Sequence, residues 1–270
     1  IMKKLLTLLV IIAGFSSCTN DVNEKNMDTE ALELASKLGS DNVTLLKAWS
    51  SNESSPVQQK YVRRFKVKVK NLDYQKEVYV HHQSSNGDWV DIPLSYELNI
   101  NEEEEIWSGI TITDYPAYGN QFVIKYAVGG HVYWDNNKGS NYTLPQSVGA
   151  YLQDDVPVLS DTYYTRLVGN YFVVNADVLR DYSAPAKLEV IYTTDNWKTT
   201  LKRELTYYRY FRVGYAEYIM SPNQYDVDKY ETSVRFDQDI AEIEYALVLT
   251  INGKEYWDNN YGNNYKVMKQ

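Results

Sequence analysis

Two stretches of this sequence place an indole beside a run of carboxylate and amide side chains. Residues 133–142 read Tyr-Trp-Asp-Asn-Asn-Lys-Gly-Ser-Asn-Tyr, and residues 256–265 read Tyr-Trp-Asp-Asn-Asn-Tyr-Gly-Asn-Asn-Tyr. They differ only at Lys138/Tyr261 and Ser140/Asn263. A flat aromatic face covers the apolar C–H side of a pyranose ring, and planar amides or carboxylates satisfy neighbouring hydroxyls, which both donate and accept. The same residues also make a good tight turn, because Asn, Asp and Gly tolerate left-handed backbone. The residue types alone leave a sugar-binding rim and a purely structural turn both open. A second indole sits in another polar turn upstream in each half, in Gly87-Asp88-Trp89 and Asp195-Asn196-Trp197. Two aromatic residues on neighbouring loops can form a platform for successive sugars.

Other chemistry is sparse. His81, His82 and His131 are the only histidines, and none has a Cys or Glu at metal-ligand spacing. No nucleophile elbow or phosphate-cradling glycine loop is present in the sequence, and a glycosidase-type carboxylate pair is placed by the fold rather than by spacing. The chain is therefore expected to be no enzyme and to need no metal or cofactor. A formal charge of −9 argues against nucleic acid or an anionic membrane surface as the main partner. The acidic run Glu102 to Glu105 is read as a solvated turn or strand edge.

The elements that must carry these residues are strands. Phe65, Val67 and Val69 alternate with Lys66 and Lys68, which predicts one buried face. Further strands are predicted over 76–80, 121–128, 131–134, 246–251 and 254–257, with Gly129-Gly130 and Asn252-Gly253 as two-residue hairpin turns. Tyr, with 26 copies, favours such strands. The matching decapeptides lie 123 positions apart, a period that signals duplicated domains rather than a solenoid. The expected architecture is all-β: two tandem immunoglobulin-like antiparallel β-sandwiches of seven or eight short strands each, at 42–145 and 156–270.

The first residues read as processing. Lys3 and Lys4 precede an apolar run, Leu5 to Phe15, followed by Ser16, Ser17 and Cys18. With Met2 as the start, this is a basic region, an apolar core too short to span a bilayer, and a cleavage zone. Phe15-Ser16-Ser17-Cys18 resembles the lipobox of bacterial lipoproteins. That resemblance implies a signal peptide over 1–17 and lipid on Cys18, which stably anchors the protein to a bacterial cell envelope through two or more acyl chains. The face of the outer membrane, periplasmic or surface, stays open. Residues 18–41 are read as a polar tether, with two helical turns at 31–38. Cys18 is the sole cysteine, so no internal disulfide is expected.

The run Val67-Lys68-Val69-Lys70-Asn71-Leu72-Asp73-Tyr74-Gln75-Lys76-Glu77-Val78-Tyr79-Val80, then Asp88-Trp89, then Phe122 to Val128, then Tyr133 to Tyr142, resembles a family-21 carbohydrate-binding module. These are starch- and glycogen-binding domains. The resemblance covers nearly all of the first repeat, and the second through Asp195-Asn196-Trp197 and the decapeptide. It implies an immunoglobulin-like sandwich with two α-glucan sites. One site would use Trp89, Trp134, Asn136 and Asn141, matched by Trp197, Trp257, Asn259 and Asn264. The other would use Tyr74, Lys76 and Tyr96, with Tyr182 as the counterpart of Tyr74. The family's further aromatic residue on the penultimate strand is replaced here by Val123 and Ala246. Starch, glycogen and maltooligosaccharides are the implied ligands, with glycan-degrading enzymes or transporters as companions. A structural or adhesive surface lipoprotein, or a binder of a different glycan, are the other readings of the same sequence.

Overall fold

The computed structural model describes residues 41–270 apart from 59, 85, 114–120, 183–185 and 214–216. The expected signal peptide, Cys18, the expected helical turns at 31–38 and all of the expected tether but residue 41 thus lie outside the described residues. In chain order the first repeat supplies β1 (Val43–Asn52), β2 (Tyr61–Lys70), β3 (Lys76–Gln83), β4 (Trp89–Pro93), β5 (Ser95–Asn99), β6 (Glu104–Thr113), β7 (Gln121–Val128), β8 (His131–Asp135) and β9 (Tyr142–Thr143). Sheet order is β1-β2-β6-β5 facing β4-β3-β7-β8, with β9 also paired to β7. The predicted alternation appears in the packing. Phe65, Val67 and Val69 of β2 are buried against Phe122, Ile124 and Tyr126 of β7, while Lys66 and Lys68 point outward. The Gly129-Gly130 turn has positive φ at both positions, as a primed hairpin requires.

β10 (Gly149–Leu152) follows, then the second repeat: β11 (Val158–Ser160), β12 (Arg166–Val168), β13 (Tyr171–Leu179), a 3-10 turn at Arg180–Tyr182, β14 (Ala186–Thr193), β15 (Leu201–Glu204), β16 (Thr206–Tyr208), β17 (Tyr210–Val213), β18 (Glu217–Met220), β19 (Val227–Arg235), β20 (Glu242–Ile251), β21 (Lys254–Asp258) and β22 (Tyr265–Met268). Its sheets, β11-β13-β19-β16 and β15-β14-β20-β21, enclose Phe172, Leu188, Tyr245 and Leu247. Asn252 and Gly253 both have positive φ, the expected type I′ geometry. The chain is thus two antiparallel β-sandwiches in tandem.

The residues between the two predicted domains are not a free linker. β10 pairs antiparallel with Lys47–Ser50 of β1 and extends the first sandwich's sheet. Ala150 and Leu152 of β10 and Trp49 of β1 share a third core with Leu159, Phe211, Val213, Ile219 and Val227 of the second repeat. Phe211, Val213 and Ile219 come from the hairpin β17–β18, inserted between β16 and β19 where the first repeat needs only residues 100–103. Trp49 is 2% exposed and meets Tyr164 and Phe211 ring to ring. Burying such a side chain contributes roughly 1.5–3 kcal/mol.

At the same interface partly buried Lys47 of the first repeat meets three buried charges of the second, Asp161, Asp177 and Lys229. Lys229 Nζ lies 2.5 Å from Asp161 and 3.2 Å from Asp177, and Lys47 Nζ lies 2.5 Å from the other Asp177 oxygen. Two cations thus alternate with two carboxylates. Burial pushes the Asp161 carboxyl up, but the charges of Lys229 and Lys47 outweigh it and hold it well below the usual carboxylate range. At the rim, Glu53 accepts from Arg64 at 2.7 Å and from Tyr163 at 2.7 Å. Burial again works against its charge, and the bonds from Tyr163 and Arg64 prevail to depress its pKa.

Breaking a buried pair costs about 3–5 kcal/mol because the partner charge is stranded. Lys229→Met is therefore expected to lower the unfolding free energy by about that amount, read by chemical denaturation. Heating should unfold both sandwiches in one coincident transition. Asp161 and Glu53 have folded pKa values below their unfolded ones. Their contribution is complete above the unfolded values, about 4, and is lost as pH falls through the folded ones. Denaturation midpoints should accordingly fall on acidification below about pH 5.

Candidate functional site

The decapeptide has a split role. In the first repeat, Asp135 at the end of β8 accepts the Leu45 N–H at 2.7 Å and the Tyr142 hydroxyl at 2.9 Å. In the second, Asp258 accepts the Ser160 N–H at 2.6 Å and the Tyr265 hydroxyl at 2.8 Å. These two carboxylates therefore face inward and tie the loop to the first strand of the opposite sheet. Burial pushes the Tyr142 phenol well up, with Asp135 adding to the shift, so it stays protonated as the donor. Between the anchors the backbone is left-handed at Asn137, Lys138, Gly139 and Asn141, and again at Asn260, Tyr261, Gly262 and Asn264. Asn136 Oδ1 accepts the Gly139 N–H at 3.0 Å, and Asn259 Oδ1 accepts the Gly262 N–H at 2.9 Å. The structural-turn reading is correct for Asp135 and Asp258, and the indoles are left outside.

In the first repeat the outward residues form an open cleft of about 320 Å³ lined by His81, Trp89, Val123, Trp134, Asn136 and Asn141. Trp89 opens β4 and is 39% exposed; Trp134 lies on β8, half-buried. Asn141 Nδ2 donates to Gln121 Oε1 at 2.9 Å, which orients the amide at the cleft edge. Val123 is buried in its floor. Sequence reasoning brought four of these six together and missed His81, for which residue type and spacing carried no signal, since strand pairing alone places it opposite Val123.

In the second repeat Trp257 on β21 is 51% exposed, and its Nε1 donates to Glu255 at 2.9 Å. Trp197 is not the positional twin of Trp89. It sits within the turn 194–200 with φ 63°, in a loop closed by Asp195, which accepts the Thr199 N–H at 2.9 Å. The turn is two residues longer than residues 84–88 of the first repeat, so the indole reaches back instead of opening a strand. Its Nε1 donates to Glu244 at 2.7 Å. Glu244 and Gln121 are equivalent at the 123-residue offset, so Trp197 arrives at the Asn264 end of its module by a different route. Ala246 is buried between Glu244 and Val248, the cross-strand partner of Trp257.

The other predicted site is only partly assembled. Tyr74 is 95% exposed beside the Gly129-Gly130 turn. Lys76, however, is nearly buried: its ammonium is held by Glu105 at 2.8 Å and by the Asn71 amide. Glu105 is thus an exception to the solvated reading of the acidic run, and it also accepts from Trp107 Nε1 at 3.0 Å. Exposed Tyr96 lies on the opposite sheet and contacts Trp107 edge-on. It connects to Lys76 through Trp107 and Glu105 rather than directly. Tyr182 packs edge-on against Tyr256, half-buried, and does not project as Tyr74 does. Sequence reasoning missed the second-repeat equivalents, which the 123-residue offset locates. Asp228 replaces Glu105 and pairs with Arg180 at 3.3 Å, and Tyr230 replaces Trp107 and meets Tyr207 edge-on. Tyr207 donates to the Ser221 carbonyl, so the inserted hairpin occupies its hydroxyl.

Sandwiches that hold indoles outward beside left-handed amide loops define a protein of the carbohydrate-binding-module class. The sequence profile of the carbohydrate/starch-binding module family 21 matches the chain twice, over residues 37–145 and 160–268, and the chain belongs to that family. Among solved structures it is similar to the starch binding domain of Rhizopus oryzae glucoamylase in complex with beta-cyclodextrin and maltoheptaose, at 26% identity, 40% of this chain, 95% of that chain and a TM-score of 0.32. It is also similar to the carbohydrate binding module of the muscle glycogen-targeting subunit of Protein Phosphatase-1, at 23% identity, 48% of this chain, 89% of that chain and a TM-score of 0.30. No curated protein matches it.

Asp258→Ala would leave the Ser160 N–H and the Tyr265 hydroxyl buried without a partner, at roughly 1–3 kcal/mol each. The expected result is a clear loss of thermal stability, whereas Asn141→Gly, which keeps the left-handed backbone at φ 55° and removes only the amide at the cleft edge, should change the melting temperature little.

Proposed function

We propose that this protein is a non-catalytic receptor for α-glucan (starch, glycogen and maltooligosaccharides), held at a bacterial cell envelope by lipid on Cys18. The observation that carries the binding reading is the pair Trp89 and Trp134 on one open cleft with Asn136 and Asn141. Exposed indoles cover the C–H faces of a glucan, and the adjacent amides take its hydroxyls. The family match supports a starch-like ligand. The second platform, Trp257 with Asn259 and Asn264 and with Trp197 at its far end, gives a polymer two points of attachment. Bivalent binding on a chain with many sites raises avidity by roughly 10²-fold or more where geometry lets both engage. Here that geometry is set by the shared core at Trp49 and not by linker length. Envelope anchoring rests on the order of charges, apolar run and Cys18 in the sequence, and glycan-degrading enzymes or transporters are the natural companions of such a receptor.

Native electrophoresis through amylopectin should retard the wild-type protein. Trp134→Ala combined with Trp257→Ala should migrate as in a gel without polysaccharide. Unretarded wild-type protein rejects the α-glucan reading, and a glycan array then separates another glycan from a structural or adhesive role. Labelled palmitate should enter the full-length chain and not its Cys18→Ser variant.

A further inference from the structure

We propose that His81 contacts the bound sugar in the first module, as a third ring of the cleft and as a hydrogen-bonding partner for a sugar hydroxyl; this rests on the α-glucan reading above. His81 lies on β3 directly across from Val123 on β7. Val123 offers no ring of its own, and the imidazole stands beside it in the neighbouring register. Its ring stacks on Trp89 at 5.0 Å and 14°, and meets Trp134 edge-on at 5.3 Å and 68°. The imidazole therefore lies between the two indoles and touches both, so the cleft is lined by three rings in contact rather than by two separate indoles.

The hydrogen bonds of the ring decide which nitrogen is offered. His81 Nδ1 is 2.6 Å from Asp91 Oδ1, and Asp91 Oδ2 is 2.6 Å from Lys125 Nζ. Burial pushes the Asp91 carboxyl up, but the bonds from Lys125 and His81 prevail and depress it, so it is an ionised acceptor. An ionised carboxylate only accepts, so Nδ1 carries a proton. Nε2 has no protein partner among the described residues, and the ring lines the cleft. Neutral imidazole accepts there and imidazolium donates; a sugar hydroxyl can answer either. The second module has Ile191 at this register, opposite Ala246, and Ile191 is buried. The first cleft thus has a polar ring where the second has an aliphatic side chain, which makes the two platforms unequal.

The test uses the full chain carrying Trp257→Ala, so that maltoheptaose titration reports the first module. A net hydrogen bond contributes roughly 0.5–1.5 kcal/mol, and 1.4 kcal/mol is tenfold in affinity. His81→Phe keeps a ring and loses the nitrogen, and about a threefold loss of affinity is expected. His81→Val loses both, and about a tenfold loss is expected, with melting temperatures monitored in each case. Should His81→Val unfold, the threefold loss in a stably folded His81→Phe decides the question. Affinity of His81→Phe equal to its parent overturns the proposal and leaves the imidazole as a prop for Trp89. So does His81→Val within twofold of its parent, or a Trp257→Ala parent that no longer binds while the wild type does. A wild-type protein that binds no maltooligosaccharide fails the α-glucan reading itself.

Discussion

A single carboxylate in each repeat holds the candidate sites in place. Asp135 and Asp258 end the strands that carry Trp134 and Trp257, and each bonds inward to the first strand of the facing sheet. A buried carboxylate satisfied by one backbone N–H and one phenol fixes the strand end in position and direction. The left-handed residues that follow then turn the chain sharply, so that the indole on one side of the anchor faces solvent. Without the anchor the loop would be a polar turn of no defined aim. The near identity of the decapeptides fits two requirements acting on neighbouring residues: inward Asp and Tyr hold the loop in position, and the outward Trp stands on the face proposed to bind glucan.

Around that shared device the two modules have diverged. The first opens β4 with Trp89 and places His81 against it; the second lifts Trp197 on a longer turn and has Ile191 instead. The Lys76–Glu105–Trp107–Tyr96 chain of the first has an Arg180–Asp228 pair and a Tyr230–Tyr207 contact in the second, the latter partly occupied by an inserted hairpin. That hairpin has a structural consequence: Phe211, Val213 and Ile219 cover Trp49 and join the sandwiches through a common core. The ion network of Lys47, Asp177, Lys229 and Asp161 sits beside it, and its Lys47–Asp177 pair ties the first module to the second.

Much of this was legible in the residues. Alternation along Phe65, Val67 and Val69 marked a half-buried strand, and paired glycine and asparagine marked hairpins, because side-chain period and left-handed backbone are local properties. The repeated decapeptide located Trp134 and Trp257. Less was legible at Trp197, which shares a motif with Trp89 but not its position, since two extra residues in a turn change where an indole points. Glu105 read as a solvated charge and Lys76 as a residue of a sugar site, yet they meet as a nearly buried pair.

By itself the sequence determined the strand pattern, the duplication, the absence of an internal disulfide pair and the indole-amide segments, all of which follow from residue type and short-range spacing. Only the tertiary structure decided which face of the decapeptide is buried, that β10 and an inserted hairpin make two modules one body, and that His81 joins the cleft. Those outcomes depend on strand and core pairings from 42 (His81 with Val123) to 178 (Trp49 with Val227) positions apart, and spacing along the chain carries no record of which strands lie side by side.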